Sequence, residues 1–532
     1  MILNNRHKDF FAFSLLSNQN IEIKKNNKNM ELFLKELIKS VAFFKPEIVL
    51  VIMLIISVFV DVIFKKKQLA TGYFALFGFI LTIIILISDS TVSLGSYTFS
   101  GMFAVDPFSQ FFKIIILIGV IITTLMTFSS KELLQSKNSI GEYYILLIGM
   151  TIGMFLLASS TNLIMMYLAF ETMSISSYVL AGYTKEVRRA SEASLKYVIY
   201  GSLASGIMIY GVSLIYGLTG TLDLTSMNAA IANYTGNTLP LLVAGLMILG
   251  GIFYKISAVP FHFWTPDVYE GSPVATTALL SVSSKAAGFA ILIRLFAVGL
   301  VDINASAEYV WKTFASVPWE WIIGTVAVLT MTLGNLLAIW QENVKRLLAY
   351  SSIAHAGYLL MGVMVMTTAG IEGVMFYFIT YLLMNFGAFY VVQLVANEIN
   401  SEKLTDYSGL AYRNTLLAVS MTIFMVSLAG VPPLAGFLGK WYLFNSVIEA
   451  NEIAIAVIGV LNSVVSLYYY MRVVKYMFLR KMPDEVQQEK IKITTPSAVL
   501  LIAIVAPVVL LVINYAPLLE WIKNSATILF VK

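Results

Sequence analysis

The 532-residue sequence has no cysteine and only three histidines, His7, His262 and His355. The lack of cysteine excludes disulfide bonds, cysteine-ligated iron–sulfur clusters and zinc sites built on cysteine. Three histidines so far apart are too few for a histidine metal site. The sequence also has neither a G-x-G-x-x-G fingerprint nor a Walker A motif, so no nucleotide-binding loop is predicted.

Charge is also scarce. Only 12% of the residues are charged and 58% are hydrophobic, whereas an ordinary soluble domain is about 25% charged. Long, largely apolar runs, such as residues 48–64 and 498–513, are typical of membrane-spanning helices. The basic residues lie in short loops between these runs, so the formal net charge of +5 indicates membrane topology rather than a nucleic-acid partner.

At about 20 apolar residues per crossing, the pattern predicts an all-α polytopic membrane protein. We number fourteen predicted spans, near residues 46–64, 71–88, 108–128, 140–158, 161–182, 193–217, 239–264, 273–300, 320–340, 346–367, 371–396, 414–448, 453–479 and 497–515. The short joints between them leave no room for a soluble domain, so residues 46–515 are predicted to form one membrane domain. Residues 1–45 are predicted to be a polar extension and residues 516–532 a tail.

The loops after odd-numbered spans carry most of the basic residues, for example Lys65–Lys67 and Arg188 with Arg189. The loops after even-numbered spans carry mainly acids. The positive-inside rule therefore predicts that the odd loops are cytoplasmic and that both termini face outside. The loop after span 7 departs from this pattern, because it has Asp267 and Glu270 but no base.

Two spans are too long and contain helix-breaking residues. Span 7 contains Pro260, and span 12 contains the sequence Gly430-Val-Pro-Pro433. Proline disrupts the preceding helical turn, and in a membrane such a break is tolerated only against protein or a water-filled cavity. Interrupted helices in a many-span protein are the best sequence indication of a transport path.

The breaks occupy matching places in a weak internal repeat. Ala258–Pro260 matches Gly430–Pro432, and Glu192–Tyr197 in span 6 matches Glu372–Tyr377 in span 11. The repeat would comprise residues 140–300 (spans 4–8) and 320–479 (spans 9–13). Because five is an odd number of crossings, the second copy must be inverted in the membrane relative to the first, as in transporter folds.

Charged residues inside the spans are the candidate functional groups, because one charge at a span centre costs about 2.5–3.5 kcal/mol. We select six residues in or beside spans 5–8 and 12: Glu171, Lys255, Lys285, Lys440, Lys196 and His262. A series of titratable groups across the midplane is typical of a proton relay. The structural alternative is a set of buried charges that only holds the helices together.

Lys196 has a second interpretation, and two further residues, Arg294 and His355, lie in or near the spans. Lys196 could pair with Glu192 at i, i+4 instead of joining the relay. Arg294 is predicted to extend from the outer end of span 8 to the membrane surface. His355 either packs in the protein interior or takes part in the relay.

Four segments resemble the antiporter-like membrane subunits of respiratory complex I, the NADH-quinone oxidoreductase. They are Lys255–Pro273 (with Trp-Thr-Pro-Asp-Val-Tyr-Glu-Gly), Ser283–Ala287, Val344–Tyr358 and Ser427–Lys440. The resemblance covers residues 45–480 and implies fourteen helices with inverted repeats at helices 4–8 and 9–13 and breaks in helices 7 and 12.

The resemblance also implies roles for the six candidates. Glu171 and Lys255 match the family's interacting pair, and Lys285 and Lys440 match its central and outlet lysines; Lys196 and His262 match secondary relay positions. The chain would be a proton-translocating subunit of the enzyme in a bacterial inner membrane, without a bound metal, cofactor or redox centre. NADH, FMN, iron–sulfur clusters and quinone are expected in other parts of the complex. The expected partners are a neighbouring antiporter-like subunit, small membrane subunits and lipid.

One alternative is a subunit of a multi-subunit Na⁺/H⁺ antiporter, and another is a structural spacer. The form of the Thr265–Gly271 stretch and the lysine at position 285 favour complex I over the antiporter.

Overall fold

A computed structural model describes residues 30–31, 34–64, 69–89, 92, 95–307, 310–314, 317–480 and 490–527. In chain order, the fourteen predicted spans contain the helices Lys45–Ile63, Ala70–Ser88, Pro107–Thr127, Ile140–Ser159, Leu163–Ala181, Arg188–Thr219, Leu239–Ile256, Val274–Ser281 with Ser283–Arg294, Trp319–Ile339, Val344–Met364, Thr368–Ile399, Thr415–Ala429 with Ala435–Glu449, Ile453–Leu479 and Thr495–Leu510. Twelve helices in the described ranges are long and apolar enough to cross a membrane, and Thr415–Ala429 and Thr495–Leu510 are shorter apolar helices. The predicted all-α membrane class is confirmed, and the number fourteen stays a prediction.

Both predicted helix breaks are present, and the two interrupted helices end in the same way. Ser257 after Ile256 and Gly430 after Ala429 have left-handed φ angles of +64° and +83°. The amide of Ala258 donates to the Phe253 carbonyl at 2.8 Å, and the amide of Val431 donates to the Val426 carbonyl at 3.2 Å. These are the six-to-one bonds of a Schellman cap. The matching caps are what the proposed repeat of spans 4–8 and 9–13 requires, although the repeat boundaries themselves stay a prediction.

Spans 8, 10 and 11 form the centre of the molecule. Span 8 is buried along its whole length, and spans 10 and 11 are nearly so, whereas spans 1, 2, 6 and 13 present most of their apolar residues to the surroundings. Span 8 is interrupted at Val282 and continues after Arg294 as the π-helical turn Leu295–Gly299. A helix that is apolar all round belongs in the interior, so polar residues in the middle of these three spans, such as Lys285, Ser352 and Asn385, are enclosed by protein.

Several smaller elements were not predicted. Two antiparallel hairpins, β1 (Ser96–Thr98) with β2 (Phe103–Val105) and β3 (Val301–Ala307) with β4 (Val310–Thr313), lie in loops that follow even-numbered spans. Ser96 pairs with Val105 in the first hairpin, and Val301 pairs with Thr313 in the second. The loops also contain the helices Lys131–Leu134, Leu224–Ala232, Trp264–Gly271 and Leu410–Arg413 and the 3₁₀ turn Leu404–Tyr407.

Parts of both chain ends contact the membrane domain. Residues 1–29 of the predicted polar extension lie outside the described residues, and residues 34–43 are helical. The Ser40 hydroxyl accepts a hydrogen bond of 2.9 Å from the Phe99 amide. In the predicted tail, the helix Ala516–Thr527 places Trp521 against Phe111 of span 3, with ring centroids 4.8 Å apart.

Candidate proton path

Lys255 lies in the last turn of span 7 before the break, with 1% of its surface exposed. Its ammonium donates to the Ser174 hydroxyl at 3.1 Å and to the Tyr197 hydroxyl at 3.5 Å. Glu171 lies one turn before Ser174 on span 5, and its carboxylate accepts from the Ser205 hydroxyl. The described residues contain no direct ion pair between Glu171 and Lys255. The structure therefore brings the two predicted partners to the same place and leaves Ser174 between them.

Lys285 lies on span 8 at the centre of the molecule and is equally buried. Its ammonium donates to both the carbonyl and the hydroxyl oxygen of Ser352 on span 10, each at 2.7 Å. The Tyr381 hydroxyl of span 11 donates to the same Ser352 hydroxyl at 2.9 Å. Lys285 thus has uncharged oxygen partners, and its surroundings come from all three central spans.

Lys440 lies in the helix that follows the break in span 12. Its ammonium donates to the Ala429 carbonyl, on the other side of the break, at 2.9 Å and to the Ser463 hydroxyl at 3.2 Å. It also lies 4.8 Å from the centroid of the Tyr358 ring. The left-handed turn at Gly430 leaves room for this side chain, because a Cβ there would lie 2.6 Å from the Lys440 Cδ. The break therefore creates the lysine's carbonyl partner and its space.

His355 connects the two lysine sites, although sequence reasoning left it open between packing and relay. On span 10 it lies one turn after Ser352, the partner of Lys285, and one turn before Tyr358, the ring beneath Lys440. Its Nε2 is 3.0 Å from the Tyr470 hydroxyl, and its Nδ1 bonds the Tyr377 hydroxyl. The signal in the sequence was the spacing 352, 355 and 358, which places all three residues on one helical face.

Lys196 takes part in a different arrangement. It bonds Glu192 at 2.8 Å, as the alternative interpretation predicts, and Asp267 at 2.7 Å. These pairs begin a continuous chain of alternating charges whose members, in order, are Glu192, Lys196, Asp267, Arg346, Glu270, Arg189, Glu402 and Lys345. We call this set the ion-pair chain. It joins the loop ends of spans 5, 7, 9 and 11.

The ion-pair chain explains the acid-only loop after span 7. Asp267 and Glu270 are matched by bases from neighbouring loops, since Arg346 lies 2.6 Å from Asp267 and 3.0 Å from Glu270. At its far end Glu402 bonds Lys345 at 2.9 Å. Burial acts to raise the pKa of Glu402, but Lys345 and then Arg189 outweigh it and hold that pKa below its ordinary value.

His262 is buried after the break in span 7, with its ring centroid 4.5 Å from that of Phe263. No hydrogen bond links it to a lysine or carboxylate of the path among the described residues. The structure therefore does not join His262 to the line of contacts that runs from Lys285 to Lys440.

Two buried ion pairs lie at the opposite ends of the spans from the ion-pair chain. The prediction that Arg294 reaches the membrane surface is wrong: it is 2% exposed and bonds both carboxylate oxygens of Asp106, at 2.9 and 3.0 Å. Glu47 of span 1 and Lys113 of span 3 form the second pair at 2.6 Å. Sequence reasoning missed Lys113, whose signal was a lone base seven residues after the capping Asp106.

Comparison with known proteins places this geometry in a family. A family model described as NADH:quinone oxidoreductase/Mrp antiporter, transmembrane, matches residues 160–466. NADH-quinone oxidoreductase subunit N 2 of Chloroherpeton thalassium is 49% identical over 394 residues, which cover 74% of this chain and 76% of the relative. The chain belongs to the NADH-quinone oxidoreductase subunit N family. The subunit N of Chlorobium chlorochromatii is 42% identical, with 92% of this chain and 95% of the relative covered.

Solved structures agree with the subunit N family assignment. A chain of respiratory complex I from Thermus thermophilus is 29% identical, with a TM-score of 0.73 and coverage of 89% of this chain and 98% of that one. A chain of the Mrp complex from Dietzia sp. is 22% identical, with a TM-score of 0.74 and coverage of 92% and 98%. The predicted resemblance to complex I is confirmed, and the likeness to the Mrp complex shows the shared fold alone.

Proposed function

We propose that this chain is the proton-translocating membrane-arm subunit of an NADH-quinone oxidoreductase, and that Lys255, Lys285, His355 and Lys440 carry the protons. Membership of the subunit N family supports the first part. The observation that carries the second is a buried line of contacts between Lys285 and Lys440. Lys285 bonds Ser352, which the Tyr381 hydroxyl also bonds. The His355 ring lies against the rings of Tyr381 and Tyr358, with centroids 5.0 and 5.7 Å apart, and the Tyr358 ring lies beneath Lys440. The chain contributes to an enzyme whose NADH, FMN, iron–sulfur clusters and quinone belong to the complex as a whole; we assign none of them to this chain.

The lysines suit transport because their partners are neutral. Removing one member of a buried ion pair is costly, since the remaining charge is left uncompensated, so a paired lysine is held in its charged state. Lys285 and Lys440 bond serine hydroxyls and backbone carbonyls instead. Loss of a proton from such a lysine strands no opposite charge, and the neutral amine can still accept a hydrogen bond from a hydroxyl.

The tyrosines around His355 complete the line. A neutral imidazole accepts a proton at one nitrogen and releases one from the other. Here one nitrogen bonds Tyr377 and the other bonds Tyr470, which also bonds the Ser351 hydroxyl. His355 can therefore pass a proton between the Lys285 side and the Lys440 side by reorienting hydroxyl groups, without moving a helix.

Glu171 and Lys255 supply the control step. Ser174 separates them in this structure, so a small shift of span 5 against span 7 would change the distance between the carboxylate and the ammonium. A shorter distance stabilises charged Lys255, and a longer one favours release of its proton to Lys285. Charge rearrangement in a neighbouring antiporter-like subunit is the proposed trigger, and this coupling must be reciprocal. Lys196, which is paired with Glu192 and Asp267, and His262 stay predicted secondary relay groups, and this scheme assigns no step to either.

The proposed orientation follows the basic loops. The loops after odd-numbered spans, which hold the ion-pair chain, face the cytoplasm of a bacterial cell. Both termini face the outer side of its inner membrane. The proposed partners are the neighbouring antiporter-like subunit, the small membrane subunits and lipid. Protons would then enter from the face that holds the ion-pair chain.

The test replaces Lys285 and Lys440 separately by Met in the complete complex and measures proton uptake by inverted membrane vesicles. We expect NADH-driven uptake to fall at least about tenfold, while electron transfer from NADH to an artificial acceptor persists. Lys492→Met, at an exposed loop position outside the candidate path, is the matched control. Normal pumping by assembled Lys285→Met complexes would refute the relay. Absence of the complex from the membrane would favour the structural spacer, and sodium-dependent uptake without NADH would favour the antiporter.

A further inference from the structure

A large polar cavity lies on the face that holds the ion-pair chain and has no part in the lysine path described above. Its volume is about 1310 Å³, and its walls come from the loops after spans 3, 5, 7, 9 and 11. Glu132, Arg189 and Glu402 line its sides, and Gln393 of span 11 lies in its lining. A cavity of this size, with charged walls, holds water.

Two buried oxygens in the cavity lining point to the same conclusion. Thr184 Oγ1 and Gln393 Oε1 are inaccessible from the surface and have no hydrogen-bond partner among the described residues. Buried polar atoms almost always have a partner, and ordered water serves where protein does not. Neither atom faces open space in this structure, so a small shift of the lining would let water from the cavity reach both. The cavity lining thus offers polar atoms to water as far inward as Gln393 on span 11.

Polar side chains continue inward from Gln393 along one face of span 11. The Asn385 amide donates to the Ser281 hydroxyl at 2.6 Å, while its Oδ1 has no partner among the described residues. Ser281 lies one turn before Lys285 at the break in span 8. Tyr381, one turn beyond Asn385, bonds the Ser352 hydroxyl that also holds Lys285.

Phe389 interrupts this polar line. It lies one turn from both Asn385 and Gln393, on the same face of span 11, and is fully buried. Its ring centroid is 6.4 Å from that of Tyr269, in the helix that follows the break in span 7. The polar atoms on its two sides are about 12 Å apart along the helix axis. On this face of span 11, Phe389 thus separates Gln393, at the cavity, from Asn385, near Lys285.

We propose that the cavity is the aqueous inlet that supplies protons to Lys285, and that Phe389 is the barrier that closes it. Gln393 hydrates the outer side of the barrier, and Asn385 with Ser281 receives water on the inner side. Rotation of the Phe389 ring joins the two sides for one transfer and separates them again. This inference rests on the proposed relay, since an inlet has a purpose only if Lys285 takes up protons.

The absence of native cysteine allows a direct test by single-cysteine labelling. Gln393→Cys, Asn385→Cys and Val392→Cys are introduced separately into the complete complex, in inverted vesicles that expose the cytoplasmic face. A membrane-impermeant thiosulfonate is added, and the label on this chain is measured by mass spectrometry. Val392 is the matched control, because it is fully buried beside Gln393 and does not line the cavity.

We expect Gln393→Cys to react at least about tenfold faster than Val392→Cys, since buried thiols are inert and hydrated ones are not. Asn385→Cys should be protected in the otherwise native chain and become reactive when Phe389→Ala is added. Phe389→Leu, which keeps an apolar plug, should preserve the protection. Phe389→Ala should also raise passive proton entry into vesicles without NADH, and Phe389→Leu should not.

Each opposite result overturns a stated part of the inference. Slow labelling of Gln393→Cys would exclude the aqueous inlet, and rapid labelling of Asn385→Cys beside native Phe389 would exclude the barrier. Labelling from the other membrane face only would exclude an inlet from the cytoplasm. These readouts require no pumping, so they fail independently of the relay. Normal pumping by Lys285→Met would overturn the proposed function even with the expected labelling pattern.

Discussion

The buried pair of Asp106 and Arg294 gives the sharpest stability prediction. The two side chains share two hydrogen bonds, and the pair lies between the start of span 3 and the end of span 8. Removing one partner from a buried pair costs about 3–5 kcal/mol, because the other charge is left uncompensated. Replacing both with neutral groups avoids that penalty. Asp106→Asn and Arg294→Met should therefore each destabilise the fold more than the double variant does.

The two single variants should differ in stability, because only one of the two charges left behind can be neutralised by a proton. In the native chain Asp106 caps the helix of span 3 by accepting a hydrogen bond of 2.8 Å from the Ser109 amide. The side-chain oxygen of Asn can make the same bond, so the loss of stability in Asp106→Asn comes from the unpaired charge of Arg294. This substitution leaves Arg294 with the Ala158 carbonyl at 3.3 Å, and a guanidinium cannot deprotonate. Arg294→Met leaves a carboxyl that can take up a proton. We expect Asp106→Asn to be the most destabilising change, Arg294→Met intermediate and the double variant the mildest.

The dependence on pH distinguishes this explanation from lost packing. Burial acts to raise the pKa of Asp106, but Arg294 and the Ser109 hydrogen bonds hold that pKa below its ordinary value of 3.8. In the native chain the pair's contribution is present above the ordinary pKa and is lost as the pH falls through the lowered pKa. Without Arg294, burial should raise the pKa of Asp106, so the stability of Arg294→Met should increase as the pH falls towards that pKa.

The assay is the temperature at which this subunit becomes susceptible to protease within the purified complex, followed from neutral pH into the acid range. The reasoning is refuted if the double variant is less stable than Asp106→Asn. It is also refuted if Arg294→Met and the native chain respond to acid in the same direction.

Three further predictions concern the break in span 12 and the ion-pair chain. Gly436→Ala would place a methyl group against the Ser427 carbonyl across the break. Both proton pumping and assembly of the complex should therefore fall in vesicle assays. Gly206→Ala is the control, because a methyl group there would meet no nearby atom, and it should leave both unchanged. Glu402→Gln should cost about 3–5 kcal/mol in protease-resistance melts because it strands the buried Lys345, and adding Lys345→Met should restore most of that loss. Burial acts to raise the pKa of Glu402, but Lys345 holds that pKa below 4.5. The contribution of Glu402 to the stability of the native chain should therefore disappear as the pH falls through the lowered pKa. Glu402→Gln should lack this acid-induced loss in the same melts.

Sequence reasoning located the features that depend on local chemistry. Pro260 and the Gly430–Pro433 sequence predicted both breaks because proline cannot continue a helix. The depth of Lys285 followed from counting residues along an apolar run. These predictions need only the chain's own spacing, and the structure places both breaks and the buried Lys255, Lys285 and Lys440 within the predicted spans.

The missed features depend on partners that are distant in the chain. Arg294 was assigned to the membrane surface because a lone arginine near a helix end usually extends there, and its partner Asp106 is 188 residues away. The separation of Glu171 from Lys255 by Ser174 depends on how spans 5 and 7 rotate about their axes. The depth of a residue in the membrane follows from its position along one helix. The partner of its side chain depends on how several helices pack together.

The buried charged residues fall into two groups, which differ in what a change of protonation would leave behind. Asp106 with Arg294, and Lys345 with Glu402, are joined directly to an opposite charge, so a change of protonation in either pair would strand an ion in a medium of low polarity. Lys285 and Lys440 between them have serine and backbone oxygens as partners. Ion pairing therefore fixes the charges near the two ends of the spans, and the proposed relay uses only the lysines in the middle. A carboxylate introduced beside Lys285, for example by Ser352→Asp, should hold that lysine charged and stop NADH-driven proton uptake while the complex still assembles.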